Sequence, residues 1–323
     1  MKKIWSSHKA VLLVLMLLLS GPVLASASKP NLYHQGLELG LANRLGEAAK
    51  TLARITVSDP AYYDAMILRK VVHAVKDKSI SRKSGLFMFS AMQHVIDDKF
   101  DLAGPDVAKA VTLAPKCAWA YDIRAIVERH RHKEDDAMSD FAKALELDPK
   151  DIVALGNRGI ILQNRRKFDA AIAEYDKSLA IAPNQPRTYY NRGWVYDHKN
   201  DEDKAMADYT KAVTLDSRYE NAYVARAAIY MNRGELKKAL QDYHKAEAID
   251  PNDGWIYEGL GVLYLGHRKD VDKGCGYLEK ACKLGKCWIY SHTLQDRNCP
   301  LDPTAQAILD AWHRANSLER RKH

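Results

Sequence analysis

The sequence predicts an all-α fold, a solenoid of stacked antiparallel helix pairs, because of a long repeat and its internal pattern. The sequence numbers of Pro115, Pro149, Pro183 and Pro251 differ by 34 or a multiple of it, and Ser217 takes the fourth place in the series. A fixed period of this size is typical of a repeat array, in which each unit buries its apolar face by stacking on its neighbours. Such an array supplies a binding surface rather than a reaction centre.

Each unit of the series is expected to form two helices. In the unit at 152–185, Leu155 and Gly159 lie on one stripe of the first helix, because residues four apart share a helix face. The glycine leaves room for the paired helix to approach closely. Ala171 and Tyr175 mark the apolar face of the second helix in the same way. The proline then stops this helix, because its ring cannot continue the hydrogen-bond ladder.

Two segments carry a resemblance to a known family. YYNRGWVYDHKNDEDKAMADYTKAVTLD (Tyr189 to Asp216) and ALGNRGIILQNRRKFDAAIAEYDKSLAIAP (Ala154 to Pro183) resemble tetratricopeptide repeats. The resemblance implies a right-handed superhelix of antiparallel helix pairs with a concave inner face. We place the array at 116–288, with four clear units and a divergent fifth, at 118–151, 152–185, 186–219, 220–253 and 254–288.

The N-terminal residues 1–27 predict a secretory signal peptide. A lysine-rich start precedes an apolar run from Ala10 to Leu19, which is too short to span a bilayer. The small residues Ala25-Ser26-Ala27 form a suitable cleavage site. We therefore expect a periplasmic or secreted protein, peripheral to a membrane at most. An uncleaved membrane anchor is the alternative interpretation.

The net charge and the motif content exclude several classes of function. The formal net charge is +8, and removal of the three lysines within 1–27 leaves 8 − 3 = +5. This mild charge, together with export, argues against a nucleic-acid partner. The sequence contains no Gly-rich phosphate loop, no H-E-x-x-H and no G-x-S-x-G motif. We therefore expect neither an enzyme nor a cofactor.

Residues 28–115 predict an irregular helical region with degenerate repeats, which would cap the array. The segment LGEAAKTLARITVSDP, ending at Pro60, resembles a second repeat helix with its stop. The sequence numbers of Pro60 and Pro115 differ by 55, which is not a multiple of 34, so a segment is missing or inserted between them. We expect helices over 61–75, 85–98 and 104–113, with a polar loop at 76–84.

The other end of the chain, residues 289–323, predicts a cysteine-containing loop and a capping helix. Asp302 suits the N-cap of this helix and Pro303 its first helical position. An amphipathic helix here would give the last repeat a polar outer face, as a terminal repeat requires.

Four of the five cysteines, Cys275, Cys282, Cys287 and Cys299, lie near the C-terminal end, and Cys117 stands apart. Export favours disulfides. Two cysteines seven residues apart on one helix are separated by about 10 Å along its axis, which exceeds disulfide reach. We therefore expect Cys275 and Cys282 each to pair with Cys287 or Cys299, in an order that the sequence leaves open. A four-thiolate zinc site and free thiols are the alternatives, although the spacings do not match the usual paired arrangement of zinc ligands.

One short segment resembles a second repeat family, and one known binding motif of the tetratricopeptide family is missing. KACKLGKC (Lys280 to Cys287) resembles the ends of Sel1-like repeats. One variant of the tetratricopeptide family clamps a C-terminal carboxylate with a first-helix lysine, but the matching positions here hold Asp122, Gly156, Tyr190 and Val224. This clamp is therefore absent.

The resemblance also places the partner-binding residues on the first helices, facing the concave side. Asn157 and Asn191 fall where family members hydrogen-bond a ligand backbone, and one amide can serve a peptide N–H and C=O at once. Tyr190 and Trp194 beside Arg187 have the composition of an interface hot spot. For the tryptophans, packing against the neighbouring repeat is the alternative. The expected binding residues are Asn157, Arg187, Tyr190, Asn191, Trp194 and Trp255.

These observations favour a non-catalytic scaffold of the bacterial cell envelope that holds a protein or peptide ligand in its concave groove. An envelope enzyme or metal-binding protein that uses the cysteine-rich C-terminal unit is the alternative.

Overall fold

The protein is described by a computed structural model, which covers residues 32–56, 62–268, 270–286 and 299. These residues contain fifteen α-helices and no β-strand, and consecutive helices pack as antiparallel pairs. The all-α solenoid is therefore confirmed. The predicted signal peptide and the capping helix lie outside the described residues. None of the described helices is long and apolar enough to cross a membrane.

The helices follow one another with short connections, and a π-helical turn, Leu263–Arg268, extends the fourteenth. In chain order the fifteen helices are Leu32–Leu41, Leu45–Leu52, Tyr62–Lys76, Arg82–Ile96, Phe100–Leu113, Ala118–His130, Glu134–Leu147, Ile152–Asn164, Phe168–Ile181, Pro186–His198, Glu202–Leu215, Glu220–Asn232, Leu236–Ile249, Gly254–Val262 and Val271–Lys283.

A residue with left-handed backbone marks the turn inside five successive helix pairs, from Arg82–Ile96 to Leu236–Ile249. Asp98, His132, Arg166, Asn200 and Gly234 have φ angles of 55, 59, 56, 60 and 74° and recur with the same period as the prolines. This conformation closes the first helix, and glycine adopts it without steric cost. The first turn of the series belongs to the pair Arg82–Ile96 and Phe100–Leu113, so the period extends one unit toward the N-terminus beyond 116.

The core of each repeat depends on the small-to-large contact that the sequence predicts. Gly159 faces Tyr175, and a Cβ atom added to the glycine would lie 2.4 Å from the tyrosine ring. The rings of Tyr175, Tyr209 and Tyr243 are almost wholly buried. These repeats therefore close around one aromatic side chain of the second helix, against a small residue of the first.

An arginine of the first helix also pairs with a carboxylate of the second helix in the four repeats from 118 to 253. Three of these pairs are bidentate, with N–O distances between 2.5 and 2.9 Å, and their aspartates are 4 to 6% exposed. Charge-assisted bidentate bonds are among the strongest in proteins, so they hold the two helices of a repeat together. The bidentate pairs are Arg124–Asp140, Arg192–Asp208 and Arg226–Asp242. In the repeat 152–185 the equivalent pair is Arg158–Glu174, with Nε and Oε2 3.7 Å apart.

The irregular spacing between Pro60 and Pro115 results from one extra helix. Subtraction of one repeat period leaves a remainder, 55 − 34 = 21, which accommodates the helix Tyr62–Lys76. We call it the inserted helix. It is buried on several sides, with Ile67, Leu68 and Val71 at most 1% exposed. An unpaired helix with so much buried surface must lie against the array, and its position is described below.

Candidate partner-binding groove

The first helices of the five repeats from 118 onward lie side by side and form one face of the array, which we call the groove. Equivalent residues of successive repeats form rows along it, because the period is constant. The rows nearest the groove are Trp119, Val153, Arg187, Asn221 and Trp255; then Asp122, Gly156, Tyr190, Val224 and Glu258; and Ile126, Ile160, Trp194, Ala228 and Val262.

The N-terminal end of the inserted helix fills the middle of the groove. Tyr63 Oη donates a hydrogen bond to Gln185 Oε1 at 3.3 Å, and the guanidinium carbon of Arg187 lies 5.5 Å from the centroid of the Tyr63 ring. Asn157 and Asn191 line the same place, where the remaining cavity has a volume of about 20 Å³. That volume holds about one water molecule, so this part of the groove is closed to a partner.

Asn157 and Arg129 bond to each other beneath the inserted helix. Arg129 Nη1 donates to Asn157 Oδ1 at 2.8 Å, and Asn157 Nδ2 donates to Val153 O at 2.9 Å. Asp64 of the inserted helix is half-buried nearby; burial raises its pKa, while Arg187 and Arg129 act in the opposite direction. The side-chain amide of Asn157, expected to serve a ligand backbone, is thus engaged within the chain.

A lysine anchors the inserted helix at the first end of the groove. Lys70 Nζ lies 3.6 Å from Asp151 Oδ2 and 5.6 Å from the centroid of the Trp119 ring. Asp151 and its neighbour Asp122 are fully buried. Burial, reinforced by Asp151, raises the pKa of Asp122 well above its ordinary value. Lys70 therefore places a positive charge beside the buried Asp151 carboxyl, and the same charge opposes the pKa shift of Asp122.

Sequence reasoning missed both anchors of the inserted helix, Tyr63 and Lys70. The spacing between Pro60 and Pro115 was the signal that a segment is inserted, but it carries no information about where that segment packs. The part of the groove from Trp119 to Arg187, together with Asn157 and Asn191, we call the occupied half.

Beyond the inserted helix the groove opens into a cavity of about 480 Å³. We call it the open half. Its walls are mostly apolar and aromatic, with one amide and two carboxylates, and none of the described residues that line it is basic. The lining residues are Tyr190, Trp194, Asn221, Val224, Ala225, Ala228, Met231, Tyr243, Asp253, Trp255, Glu258, Gly259 and Val262.

The two tryptophans of the open half differ in their support. The Trp194 ring stacks on His198 with centroids 3.5 Å apart, and meets Phe168 of the preceding repeat edge-on at 6.4 Å. It thus packs against the neighbouring repeat and lines the cavity as well. Trp255 is 53% exposed, and Lys286 Nζ lies 4.1 Å from its ring centroid. A large exposed aromatic of this kind is a frequent contact residue in protein interfaces.

Carboxyl groups crowd the rim of the open half. Asp253 caps the helix Gly254–Val262 by accepting a hydrogen bond from the Trp255 backbone N–H at 3.0 Å. Burial raises the pKa of the adjacent Glu220 to about 8, and Asp253 adds to the shift. Glu220 Oε1 accepts no hydrogen bond from the residues that the structure describes. The raised pKa favours the protonated form of Glu220 near neutral pH.

The cysteine-rich end is partly described. Cys275 and Cys299 lie side by side with Cα atoms 5.5 Å apart, a separation that suits a disulfide. Cys282 is fully buried on the same helix as Cys275, and Cys287 lies outside the described residues. Burial raises the pKa of the Cys117 thiol, which disfavours the reactive thiolate. Among the residues that the structure describes, no group of three His, Cys, Asp or Glu side chains is placed to hold a metal ion.

Family models match the sequence in the central repeats. Two models described as tetratricopeptide repeat match residues 152–185 and 186–219, and a third, described as TPR repeat, matches 227–267. No curated protein matches the chain.

Several solved structures share the fold at low sequence identity. The pilF protein of Pseudomonas aeruginosa is 17% identical with a TM-score of 0.61, over 67% of this chain and 98% of its own. PilW, a type IV pilus biogenesis factor, is 20% identical with a TM-score of 0.54, over 70% and 98%. The APC/C hetero-tetramer Cut9–Hcn1 is 15% identical with a TM-score of 0.62, over 85% of this chain and 57% of the other. At these identities the likeness concerns the fold alone.

Proposed function

We propose that this chain is a non-catalytic scaffold that holds a segment of a partner protein in the open half of its groove, because tetratricopeptide repeat models match its central repeats at 152–185, 186–219 and 227–267. Repeats of this family act as protein-binding scaffolds, which supports the general role. The finer assignment to the open half depends on the geometry of the groove itself.

The cavity between Tyr190 and Trp255 is the observation that carries the proposal. Its volume of about 480 Å³ falls within the ordinary range of binding pockets. In the occupied half, the cavity beside Tyr63, Asn157 and Asn191 has a volume of only about 20 Å³. Of the six residues expected to bind a partner, Tyr190, Trp194 and Trp255 line the open half, whereas Asn157, Arg187 and Asn191 lie against the inserted helix.

We further propose that the scaffold acts in the bacterial cell envelope, in the periplasm or as a secreted protein. The support is the N-terminal sequence, in which an apolar run is followed by Ala25-Ser26-Ala27. Sequencing the N-terminus of the exported protein tests this proposal, which requires a mature chain that starts near Ser28. A protein that retains Met1 would contradict it.

Site-specific photocrosslinking tests the binding site. A benzophenone amino acid replaces Met231, which lines the cavity, or Lys211, which is exposed on a second helix outside the groove. After irradiation in an envelope extract, we expect a partner peptide crosslinked at position 231 and not at 211. Mass spectrometry of the crosslink identifies that peptide.

Two alanine variants complete the test with the identified partner. Trp255→Ala changes an exposed side chain and should leave the fold intact, whereas Trp194→Ala also removes a contact to Phe168. Truncation of an interface anchor typically costs at least about 2 kcal/mol, or more than tenfold in affinity. If both variants melt like the wild type and bind the partner equally well, the partner does not occupy the open half.

A further inference from the structure

A cavity of about 600 Å³ lies outside the groove and borders its first end at Trp119. Its walls come from the loop that follows the inserted helix, the loop between the helices Phe100–Leu113 and Ala118–His130, and the end of the helix Glu134–Leu147. The volume lies within the ordinary range of small-molecule sites. The proposed function does not involve this cavity.

The interior of the cavity is largely aliphatic and aromatic. Ile80, Leu113, Leu147 and Trp119 line it, and Leu113 is 43% exposed. Apolar surface that is open to water gains free energy when a hydrocarbon group covers it. The interior therefore favours a ligand with an apolar part.

Four exposed basic side chains stand at or beside the cavity. Lys78 and Lys116 line it, and Arg82 and Lys83 directly follow the lining loop 78–81. None of the four forms an ion pair with a residue that the structure describes. A cluster of unpaired cations attracts anions, so the ligand should carry negative charge as well.

The carboxylates near these cations have other partners. Asp148, the acidic residue among the described lining, accepts a hydrogen bond from the Lys150 backbone N–H at 3.1 Å, and its Oδ2 lies 3.9 Å from Lys70 Nζ. Asp77 accepts a hydrogen bond from the Ser79 backbone N–H at 2.9 Å. Neither carboxylate is bonded to any of the four cations.

The cations on the opposite edge of the array, at the turns inside the helix pairs, are paired within the chain. Each of four such cations forms an ion pair with an aspartate of the preceding helix pair and so joins the two pairs. These are Arg131–Asp101, Arg165–Asp135, Lys199–Asp169 and Arg233–Asp203. The cations at the cavity join nothing in the described part of the chain, and this contrast favours an external anion as their partner.

We propose that the cavity binds an anionic lipid, with the phosphate of its headgroup between Lys78 and Lys116 and an acyl chain against Ile80, Leu113 and Leu147. Exposed cations beside an apolar interior match an amphiphile that carries its charge at one end. The lipid holds the first end of the array at a membrane surface, and the open half at the last end stays accessible. This inference goes beyond the proposed function and does not depend on it.

An acidic peptide fits the cavity less well because of its backbone. Each peptide unit needs hydrogen-bond partners when it leaves water. The hydroxyls of the lining are already engaged, since Ser79 Oγ donates to Ala74 O at 3.2 Å and Ser81 Oγ accepts from the Ser84 backbone N–H at 3.1 Å. An acyl chain needs no such partners.

Vesicle sedimentation tests the site with the whole mature protein. The vesicles contain either phosphatidylcholine alone or equal parts of phosphatidylcholine and phosphatidylglycerol. We expect the protein to sediment with the anionic vesicles and to stay in solution with the neutral ones. Raising the salt concentration from about 0.1 M to about 1 M should weaken binding, because the screening length falls from about 10 Å to about 3 Å.

A matched pair of charge reversals separates the site from the overall charge. Lys78→Glu/Lys116→Glu should weaken binding to the anionic vesicles at least about tenfold, since each cation near an anionic surface contributes to binding. Lys211→Glu/Lys237→Glu changes the net charge equally, at two exposed lysines of second helices outside the cavity. This control should change binding less than about threefold, and an equal loss in both variants would overturn the inference.

A soluble lipid tests the apolar interior. Dihexanoyl phosphatidylglycerol, below its micelle concentration, carries the headgroup with short acyl chains, whereas glycerol phosphate carries the charge alone. We expect calorimetry to show at least about tenfold tighter binding of the lipid, because its acyl chain is removed from water. Leu113→Gln, which changes an exposed side chain, should reduce this advantage. Equal affinities would mean that the cavity takes the anion alone, and overturn the binding of a lipid.

A peptide of alternating glutamate and leucine represents the remaining class of ligand. If this peptide binds while neither the vesicles nor the soluble lipid does, the cavity serves an acidic protein segment and the inference is wrong. These comparisons use the wild-type protein, so they remain decisive if a variant misfolds. Crosslinking at position 231 is independent of them, so failure here does not count against the proposed function.

Discussion

Tyr63→Ala should release the N-terminal turns of the inserted helix from the groove. The Tyr63 ring packs beside Arg187, and its hydroxyl bonds Gln185. Truncation of a buried aromatic side chain costs about 3–5 kcal/mol. We expect the lower end of this range, because the Tyr63 side chain is partly buried and lines the small cavity at Asn157. A loss of about 3 kcal/mol corresponds to more than a hundredfold increase in the opening equilibrium.

Hydrogen exchange measures this opening directly. The amides of residues 66–69 should lose about two decades of protection, while the repeats from 186 onward keep theirs, because repeat arrays lose structure locally. His73→Ala is the matched control, since His73 is exposed on the same helix and should change protection little. Unchanged protection of 66–69 in Tyr63→Ala would refute the assignment of Tyr63 as an anchor.

Three further predictions concern the array and its C-terminal end. Arg192→Ala should lower the free energy of unfolding by about 3–5 kcal/mol, because it leaves the buried Asp208 carboxylate unpaired. Urea unfolding measures this loss, with the exposed Lys211→Ala as the control. A smaller loss in the double variant Arg192→Ala/Asp208→Ala would show that the unpaired charge, rather than lost packing, causes it. The folded-state pKa of Glu220 is raised from 4.5 to about 8. Its protonation therefore stabilises the fold fully below pH 4.5, and this contribution is lost as the pH rises through about 8. The free energy of unfolding should fall with pH across this window, and the same slope in Glu220→Gln would exclude Glu220 as its source. Cys275→Ser should increase hydrogen exchange in Val271–Lys283 more than in the central repeats, since a disulfide contributes about 2–4 kcal/mol to stability. Equal exchange in the variant and the wild type would count against a structural role for the bond to Cys299.

The repeat architecture could be predicted because its determinants are local and periodic. Gly159 and Tyr175 belong to one repeat, and an equivalent contact recurs in the following units, so a single alignment reveals it. The arginine clamps have the same period, as Arg192 and Asp208 show, but the partners are sixteen residues apart on different helices. Without coordinates such a pair resembles two solvated charges, and the sequence reasoning did not single it out.

The state of the groove could not be predicted, because it depends on long-range contacts. Tyr63 and Gln185 are 122 residues apart, and nothing in the sequence near either one indicates that they meet. The register predicts that Asn157 and Arg187 line the groove, and in the structure the inserted helix of the same chain lies against both. Trp255 was identified by its type and register alone, and the structure adds that it is exposed beside a cavity.

The inserted helix also has a mechanical consequence. In a repeat array each unit contacts only its neighbours, so the superhelix can bend and twist elastically. The inserted helix contacts repeat 118–151 through Lys70, and it contacts the next two repeats through Tyr63, which lies against Gln185 and Arg187. This helix therefore braces that stretch against bending. Elastic deformation is then concentrated in the repeats after 219, where the groove is open. A partner that enters there meets the compliant part of the molecule, and its binding can change the curvature of this end alone.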